Sequence, residues 1–152
     1  MAIQTLTGED VFLINDYPLM ADTANGDIVT IDFPNDLATM TTGKNKNTIY
    51  AKNEAGSNID ITCKLMRGGK ADKFLNGLQA QQERDFVGFT LMNGAFVKRL
   101  GDGAGNITYD TYNIQGMIFT KAVPGKASPD GDGDQATATY TMKAAVATRG
   151  IV

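Results

Sequence analysis

The sequence predicts a mainly β fold: an antiparallel β-sandwich or barrel of about seven or eight strands with one packed α-helix. Apolar and polar residues alternate along most of the chain, which is typical of strands that bury one face. A helical period is clear in one stretch, which directly follows such a strand. We therefore interpret residues 1–152 as a single β domain.

The stretch around which the other elements are arranged is a strand at 58–65, a turn at Gly68-Gly69 and a helix at about 70–82. The apolar face of the strand consists of Ile59, Ile61, Cys63 and Leu65. The helix has an apolar stripe at i, i+3, i+4 and i+7, formed by Ala71, Phe74, Leu75 and Leu78. Most of the polar residues of this segment, Gln79 and Gln82 among them, are expected to lie off the buried stripe. The Arg67-Gly68-Gly69 turn leaves the helix start without a side-chain cap.

Turn residues define the strands that precede this stretch. A short strand is predicted at 11–14, closed by Asn15-Asp16, and Pro18 limits the next segment to an edge or irregular strand. Asn25-Gly26 predicts a two-residue hairpin turn that leads into a strand at 27–33.

A second hairpin is predicted at 87–100, with Asn93-Gly94 as its turn. This register places Met92 opposite Ala95. One face would then be a core surface, formed by Val87, Phe89, Leu91, Phe96 and Leu100 and interrupted by Lys98. The other face is half apolar, which is typical of a surface that meets another subunit; its members are Gly88, Thr90, Met92, Ala95, Val97 and Arg99.

The last two strands are expected at 114–119, which is apolar on both faces and therefore central, and at 135–148. The final strand is about twice the usual length, and its polar face is almost entirely threonine. If a strand this long lay at a sheet edge, it would present unpaired backbone groups. Closing the sheet across subunits into a ring would remove such edges.

Residues 35–57 read as a long polar loop, and two interpretations stay open. The segment is either a flexible surface loop or an arm that orders against a neighbouring subunit. As an arm, its tentative contact residues are Lys44, Lys46, Ile49, Tyr50 and Lys52. Its tentative partner is a second, acidic loop that contains Asp130, Asp132 and Asp134.

Composition argues against most binding and catalytic functions. The chain has no histidine, which excludes Ser-His-Asp and Cys-His chemistry, and its net charge of −3 favours neither nucleic acid nor anionic lipid. The acidic loop fails as an EF-hand because Gln135 and Thr141 occupy the sixth and twelfth positions. The Gly101–Asn106 turn precedes a strand rather than a helix, which argues against a phosphate loop. We expect no cofactor, no metal and no catalytic residues.

Targeting signals are also missing from the pattern. The chain contains no apolar run long enough to cross a membrane and no charged-then-apolar leader, so we expect synthesis in the cytoplasm and no membrane partner. The single cysteine, Cys63, excludes an intramolecular disulfide and is expected to be a buried apolar residue.

The order of elements resembles the tail tube proteins of contractile-tailed bacteriophages. The resemblance is carried by NIDITCKL with KADKFLNGLQA, by the meander LINDYPLMADTANGDIVTI, and by the closing pair IQGMIFTKAV and QATATYTMKAAV. It implies a structural protein whose sixfold rings join their sheets into one barrel and stack into a tube. The implied location is the virion, the implied partners are the sheath, tape-measure and baseplate proteins, and DNA would pass through during ejection without specific binding.

Three alternatives stay open. The chain could be a ring protein of a type VI secretion or bacteriocin-like contractile machine, a phage carbohydrate-binding or decoration β-sandwich, or an enzyme. Sugar-binding modules usually display exposed aromatic residues, whereas this chain has no tryptophan. An enzyme is disfavoured by the absence of histidine. Under the tube interpretation, we expect a neutral to negative lumen and a loop at 35–57 that is mobile in the free subunit.

Overall fold

The computed structural model describes residues 2–7, 10–19, 28–125, 127, 129–131 and 133–152, without the side chain of Asp134. The strands are β1 Thr5–Leu6, β2 Val11–Ile14, β3 Tyr17–Pro18, β4 Val29–Asp32, β5 Ala38–Thr42, β6 Thr48–Lys52, β7 Ile59–Met66, β8 Met92–Gly101, β9 Ile107–Lys121 and β10 Thr137–Ile151. Helix α1, Lys70–Arg84, follows β7, and a short 3-10 helix, Gly133–Ala136, precedes β10. The predicted turn at Asn25-Gly26 lies outside the described residues.

Eight strands form one antiparallel sheet in the order β3-β2-β8-β9-β10-β7-β4, with β1 also pairing with β8. The prediction of a mainly β, antiparallel fold with one packed helix is confirmed. So is the central position of β9, which has β8 on one side and β10 on the other. β3, which contains Pro18, lies at one end of the order, where its missing N–H leaves no gap in the hydrogen-bond ladder.

The sheet bends around a core that its inner face and α1 enclose. Ile61, Cys63 and Leu65 of β7 are fully buried, as their alternation predicts. The rings of Phe33, just after β4, and Tyr112 in β9 lie 6.4 Å apart although two strands separate β4 from β9. In a flat sheet those strands would be roughly 14 Å apart, so the sheet curls strongly here.

Both central strands change their buried face at the same point. Ile114 and Met117 of β9 are both buried although they lie three residues apart, and so are Ala144 and Ala147 of β10. Gly116 lies between the first pair with a φ of 71°, a left-handed conformation that favours glycine. The alternation predicted for the last strand therefore holds to Ala144 and is then offset by one residue.

Helix α1 packs with Ala71 and Leu75 at its buried centre, while Phe74 is only partly buried and stacks on Tyr17 with ring centroids 4.2 Å apart. As predicted, the N-cap residue, Gly69, makes no side-chain capping bond. The Asp72 carboxylate instead accepts a 2.8 Å hydrogen bond from the Gly68 N–H. The helix also ends two residues later than predicted.

Two glutamines of α1 contradict the expectation that they lie off the buried stripe. Gln79 and Gln82 are 9% and 7% exposed. The Gln82 amide bonds to the backbone of Phe119, which explains how a polar side chain is accommodated in the core.

The predicted hairpin at 87–100 is wrong. Asn93 and Gly94 lie inside β8, at a bulge where the register shifts between Met92 and Gly94. Asn93 exchanges hydrogen bonds with Asn15: its carbonyl accepts from the Asn15 N–H at 2.8 Å, and its N–H donates to the Asn15 side chain at 3.1 Å. β2 and β9 therefore pair with this segment, and residues 85–91 form an exposed connection in which Val87 is 95% exposed.

β10 is not the edge strand that the sequence suggested. Its residues Thr137 to Ala144 pair with β7, and its residues from Thr141 onwards pair with β9. In the described part of the chain, Thr148–Ile151 of β10 have no strand partner on the side that faces β7, and Thr137–Tyr140 have none on the side that faces β9.

Candidate functional site

The segment expected to be a loop at 35–57 contains a two-stranded antiparallel hairpin, β5–β6, which we call the arm. Its strands pair with each other and form a sheet separate from the main one. All ten of its strand residues are exposed. The expectation of an aperiodic loop is therefore wrong, because the threonine, isoleucine and tyrosine residues of these strands favour β-structure.

Backbone hydrogen bonds define both ends of the arm. At the tip, the Gly43 N–H donates to the Asn47 carbonyl at 2.9 Å, and Lys46 adopts a left-handed conformation with a φ of 61°. At the base, the Asn53 N–H donates to the Leu37 carbonyl at 2.8 Å. Asn35 adds a side-chain bond to the Ala55 carbonyl at 3.2 Å. The arm thus has a closed base where it meets the body of the protein.

The register separates the two residues that were expected to form one anchor. Tyr50 pairs directly with Met40, and Ile49 pairs with Thr41. Adjacent strand residues point to opposite faces, so Tyr50 and Met40 share one face while Ile49 lies on the other. Tyr50 is 75% exposed and Met40 is 64% exposed. Met40 is an exposed apolar residue on the Tyr50 face that the sequence reasoning did not include.

The three lysines of the arm are likewise spread along its length. Lys44 and Lys46 lie at the exposed tip, whereas Lys52 pairs with Ala38 next to the base. The Lys52 ammonium lies 3.8 Å from the Glu54 carboxylate, with both side chains largely exposed. An exposed pair of this kind adds about 0–1 kcal/mol to stability. The positive charge available to a partner is therefore concentrated at the tip.

Arg67 holds both ends of the acidic loop. The Arg67 guanidinium donates hydrogen bonds to the carbonyls of Pro124 at 3.0 Å, Gln135 at 2.8 Å and Thr137 at 2.9 Å. Asp130 is exposed in this loop. Asp132 and the side chain of Asp134 lie outside the described residues.

The arm and the acidic loop lie at opposite ends of β7. The arm base precedes Ile59 at the start of this strand, while Arg67 follows Met66 at its end and bonds the acidic loop. Eight residues of strand span roughly 25 Å. Within one chain, the base of the arm and the ends of the acidic loop are therefore separated by the length of β7.

In the described part of the chain, the sheet has open edges on both sides. Within the described residues, β4 pairs only with β7, and no strand pairs with the side of Thr148–Ile151 that faces away from β9. At the other end of the order, β3 pairs only with β2. Open edges are templates for pairing with another chain.

The outward surface of β2 and β8 is apolar at its centre, and we call it the apolar face. Val97 pairs with Val11 and Ala95 pairs with Leu13, and these four side chains point away from the buried Phe12 and Ile14. The prediction of a half-apolar surface is right for Ala95 and Val97, but Met92, assigned to the same face, is fully buried.

Neither the single thiol nor the acidic side chains of the described residues form a reactive or metal-binding group. Burial raises the pKa of the Cys63 thiol to about 12, which keeps it protonated and unreactive near neutral pH. Within the described residues, no three metal-ligating side chains cluster.

The glycine-rich turn at 101–106 is organised by its own carboxylate rather than by a ligand. Asp102 accepts hydrogen bonds from the side chain of Asn106 at 2.7 Å and the N–H of Ala104 at 2.8 Å. Both bonds lower the pKa of the Asp102 carboxyl, and the bond from the Asn106 side chain contributes the most. A carboxylate already occupies the position that an anion would take, in agreement with the rejection of a phosphate loop.

Three solved structures resemble this chain over nearly its whole length. A chain of the sheath–tube complex of an extracellular contractile injection system, PVC, covers 94% of this chain and 88% of its own, with a TM-score of 0.56 and 13% identity. The tube-terminating cap of the anti-feeding prophage covers 96% and 90%, with a TM-score of 0.58 and 13% identity. The PVC sheath/tube terminator covers 94% and 92%, with a TM-score of 0.50 and 14% identity. The chain shares their fold.

This contractile-injection fold agrees with the tail-tube resemblance seen in the sequence. It is common to tube, terminator and cap components of these machines. No protein-family model and no curated protein matches the sequence. In the described part of the chain, no helix is long and apolar enough to span a membrane.

Proposed function

We propose that this chain is the ring-forming subunit of the tube of a contractile tail, the conduit through which DNA leaves a phage virion. The sheath, tape-measure and baseplate proteins would be its other partners, as they are for the phage tube proteins that it resembles. The role is structural and needs no catalytic residue.

The arm is the observation that carries this proposal. A hairpin that exposes both Tyr50 and Met40 leaves an unusual amount of apolar surface in water. Aromatic and methionine side chains are enriched in the centres of protein interfaces. Because the arm and the acidic loop lie at opposite ends of β7, a contact between them joins copies head to tail. Such a heterologous contact repeats without limit and builds a stack.

The open edges support ring closure in the other direction. The edge at β4 and Thr148–Ile151 lies on one side of the sheet, and the β3 edge lies on the other. Pairing one side with the opposite side of the next copy removes both edges once a ring closes, and the resemblance to phage tube proteins implies six copies. The apolar face next to β3 would be covered by the same neighbour.

A capping or terminating ring is the second candidate, because a cap and a terminator share the fold over as much of the chain as the sheath–tube chain does. The two candidates differ in whether rings continue to stack. A tube subunit needs arm contacts on every ring, whereas a cap needs them on one side only.

Electron microscopy of the purified chain at increasing concentration tests the proposal. A tube subunit gives stacked rings that lengthen with concentration, and a cap gives single rings that do not stack. A chain that stays monomeric at high concentration would contradict both candidates and favour the carbohydrate-binding or decoration alternative.

A further inference from the structure

One sheet surface lies opposite the core and is chemically unlike the apolar face; we call it the threonine face. It is the outward side of β4, β7, the first half of β10 and the end of β9. Its threonines are Thr30, Thr62, Thr120, Thr137, Thr139 and Thr141. Thr62 pairs with Thr30 on one side and with Thr141 on the other, so a row of hydroxyls crosses three strands.

Charges on the threonine face are mixed and nearly balanced. Asp60 pairs directly with Lys143, and their charged groups lie 3.7 Å apart. The other charged members are Asp32, Lys64 and Lys121. Two carboxylates against three ammonium groups leave no strong field of either sign, so a charged polymer finds no extended surface to bind.

Large apolar anchors are scarce on this face. Among its described residues, the large apolar members are Met66, Ile118 and, just before β4, Ile28, whose carbonyl accepts from the Lys64 N–H; none is aromatic. Protein interfaces derive most of their binding energy from buried aromatic, methionine and arginine anchors. Threonine favours strands while it stays hydrated. The threonine face is therefore better suited to water than to a second protein surface.

We infer that the threonine face lines the channel of the assembled tube and that water, not protein, covers it. This inference rests on the proposed function, and it adds the identity of the sheet surface that faces the DNA in the channel. Helix α1 packs on the core side of the same sheet, so it would lie toward the outer wall. The partner that the threonine face fits is a hydrated polymer in transit, which slides because the wall offers it no continuous charge or apolar anchor. On this inference the channel wall is nearly balanced in charge, whereas the sequence led us to expect a neutral to negative lumen.

Site-directed thiol labelling of assembled tubes tests this orientation. Thr139→Cys places a thiol on the threonine face, and the matched control Lys73→Cys places one on the exposed side of α1. Cys63 can stay, because it is buried and its pKa of about 12 makes it unreactive near neutral pH. Each variant is treated with a small maleimide and with a maleimide on a polyethylene glycol chain too bulky to enter the channel.

Thr139→Cys tubes are expected to react with the small reagent but to lose reaction with the bulky one, while Lys73→Cys tubes react with both. Free subunits of both variants should react with both reagents. Protection of Thr139→Cys from the small reagent would place the face in a protein interface, and reaction with the bulky reagent would place it outside; either result overturns the inference. If Thr139→Cys does not assemble, Thr141→Cys is used, and failure of both would also show an interface. Failure of the unmodified chain to form tubes would instead overturn the proposed function, and the inference with it.

Discussion

The side-chain amide of Gln82 makes two hydrogen bonds to the backbone of Phe119. Its Nε2 donates to the Phe119 carbonyl at 2.8 Å, and its Oε1 accepts from the Phe119 N–H at 2.9 Å. Phe119 lies beyond Met117, where the pairing of β8 with β9 ends. At Phe119, β9 has no hydrogen-bond partner in β8, and the Gln82 amide takes the place of that strand. The same two hydrogen bonds join α1 to the sheet.

Gln82→Ala is expected to leave two backbone groups of Phe119 buried and unpaired, each at a cost of about 1–3 kcal/mol. Urea unfolding of the variant measures the loss. Gln81→Ala is the matched control, because Gln81 is exposed on the same helix turn and its replacement should change stability by less than about 0.5 kcal/mol. Equal stability of the two variants would show that water replaces the Gln82 amide.

Leu75→Ala should destabilise the protein by about 2–5 kcal/mol, because Leu75 is fully buried in the core. The sequence placed Phe74 on the same apolar stripe, but its partial burial and its stacking on Tyr17 predict a smaller loss for Phe74→Ala. Thermal or urea unfolding of the two variants ranks them. A larger loss for Phe74→Ala would contradict the packing of α1 described above.

Two glycines should respond to alanine with opposite signs. Gly116→Ala forces a left-handed residue and brings a Cβ within 3.2 Å of the Ala145 Cβ, so we expect a loss of at least about 1–2 kcal/mol. Gly77 lies in α1 with nothing within 4 Å of an added Cβ, so Gly77→Ala should gain about 0.5–1 kcal/mol. Unfolding curves recorded side by side test both signs. A neutral Gly116→Ala would show that the switch of buried face does not depend on its backbone conformation.

Ionisation of Tyr140 should lower the free energy of unfolding at high pH. Burial, and then the hydrogen bond to Asp72, raise the pKa of Tyr140 above its usual value of 10.0. The folded protein therefore keeps this proton to a higher pH than the unfolded chain does, so the free energy of unfolding decreases as pH rises above about 10. Unfolding measured on either side of that pH should show a decrease that is smaller in Tyr140→Phe. Tyr109→Phe, a change at a 44% exposed tyrosine, serves as the control and should keep the wild-type decrease.

The sequence predicted best those elements in which apolar residues recur on a single face. The strand around Cys63 and the stripe around Leu75 bury the predicted residues, because a single face of each element meets the core. Gln82 could not be found this way, since its burial depends on the unpaired backbone of Phe119, far away in the sequence.

The errors at Asn93-Gly94 and in the arm have different causes. Asn-Gly favours a tight turn locally, but pairing of β8 with β2 and β9 overrides that preference and leaves a bulge. The arm strands bury neither face in one chain, so the alternation that reveals other strands carries no signal at Met40 and Tyr50. The contact residues were therefore only partly predictable, and the register alone separates Ile49 from Tyr50.

Replacement of the arm tests the central claim most directly. The Leu37 carbonyl and the Asn53 N–H are bonded at 2.8 Å, so a short Gly/Ser linker can replace residues 38–52 without opening the base. A matched control keeps the arm and changes only its charges, Lys44→Ser with Lys46→Ser, and individual surface charges contribute little. Unfolding curves establish that each variant is folded, and electron microscopy then counts tubes. We predict that the arm-replaced subunit is folded but forms no tubes, while the lysine variant still forms them; normal tubes from the arm-replaced subunit would contradict the claim that the arm stacks the rings.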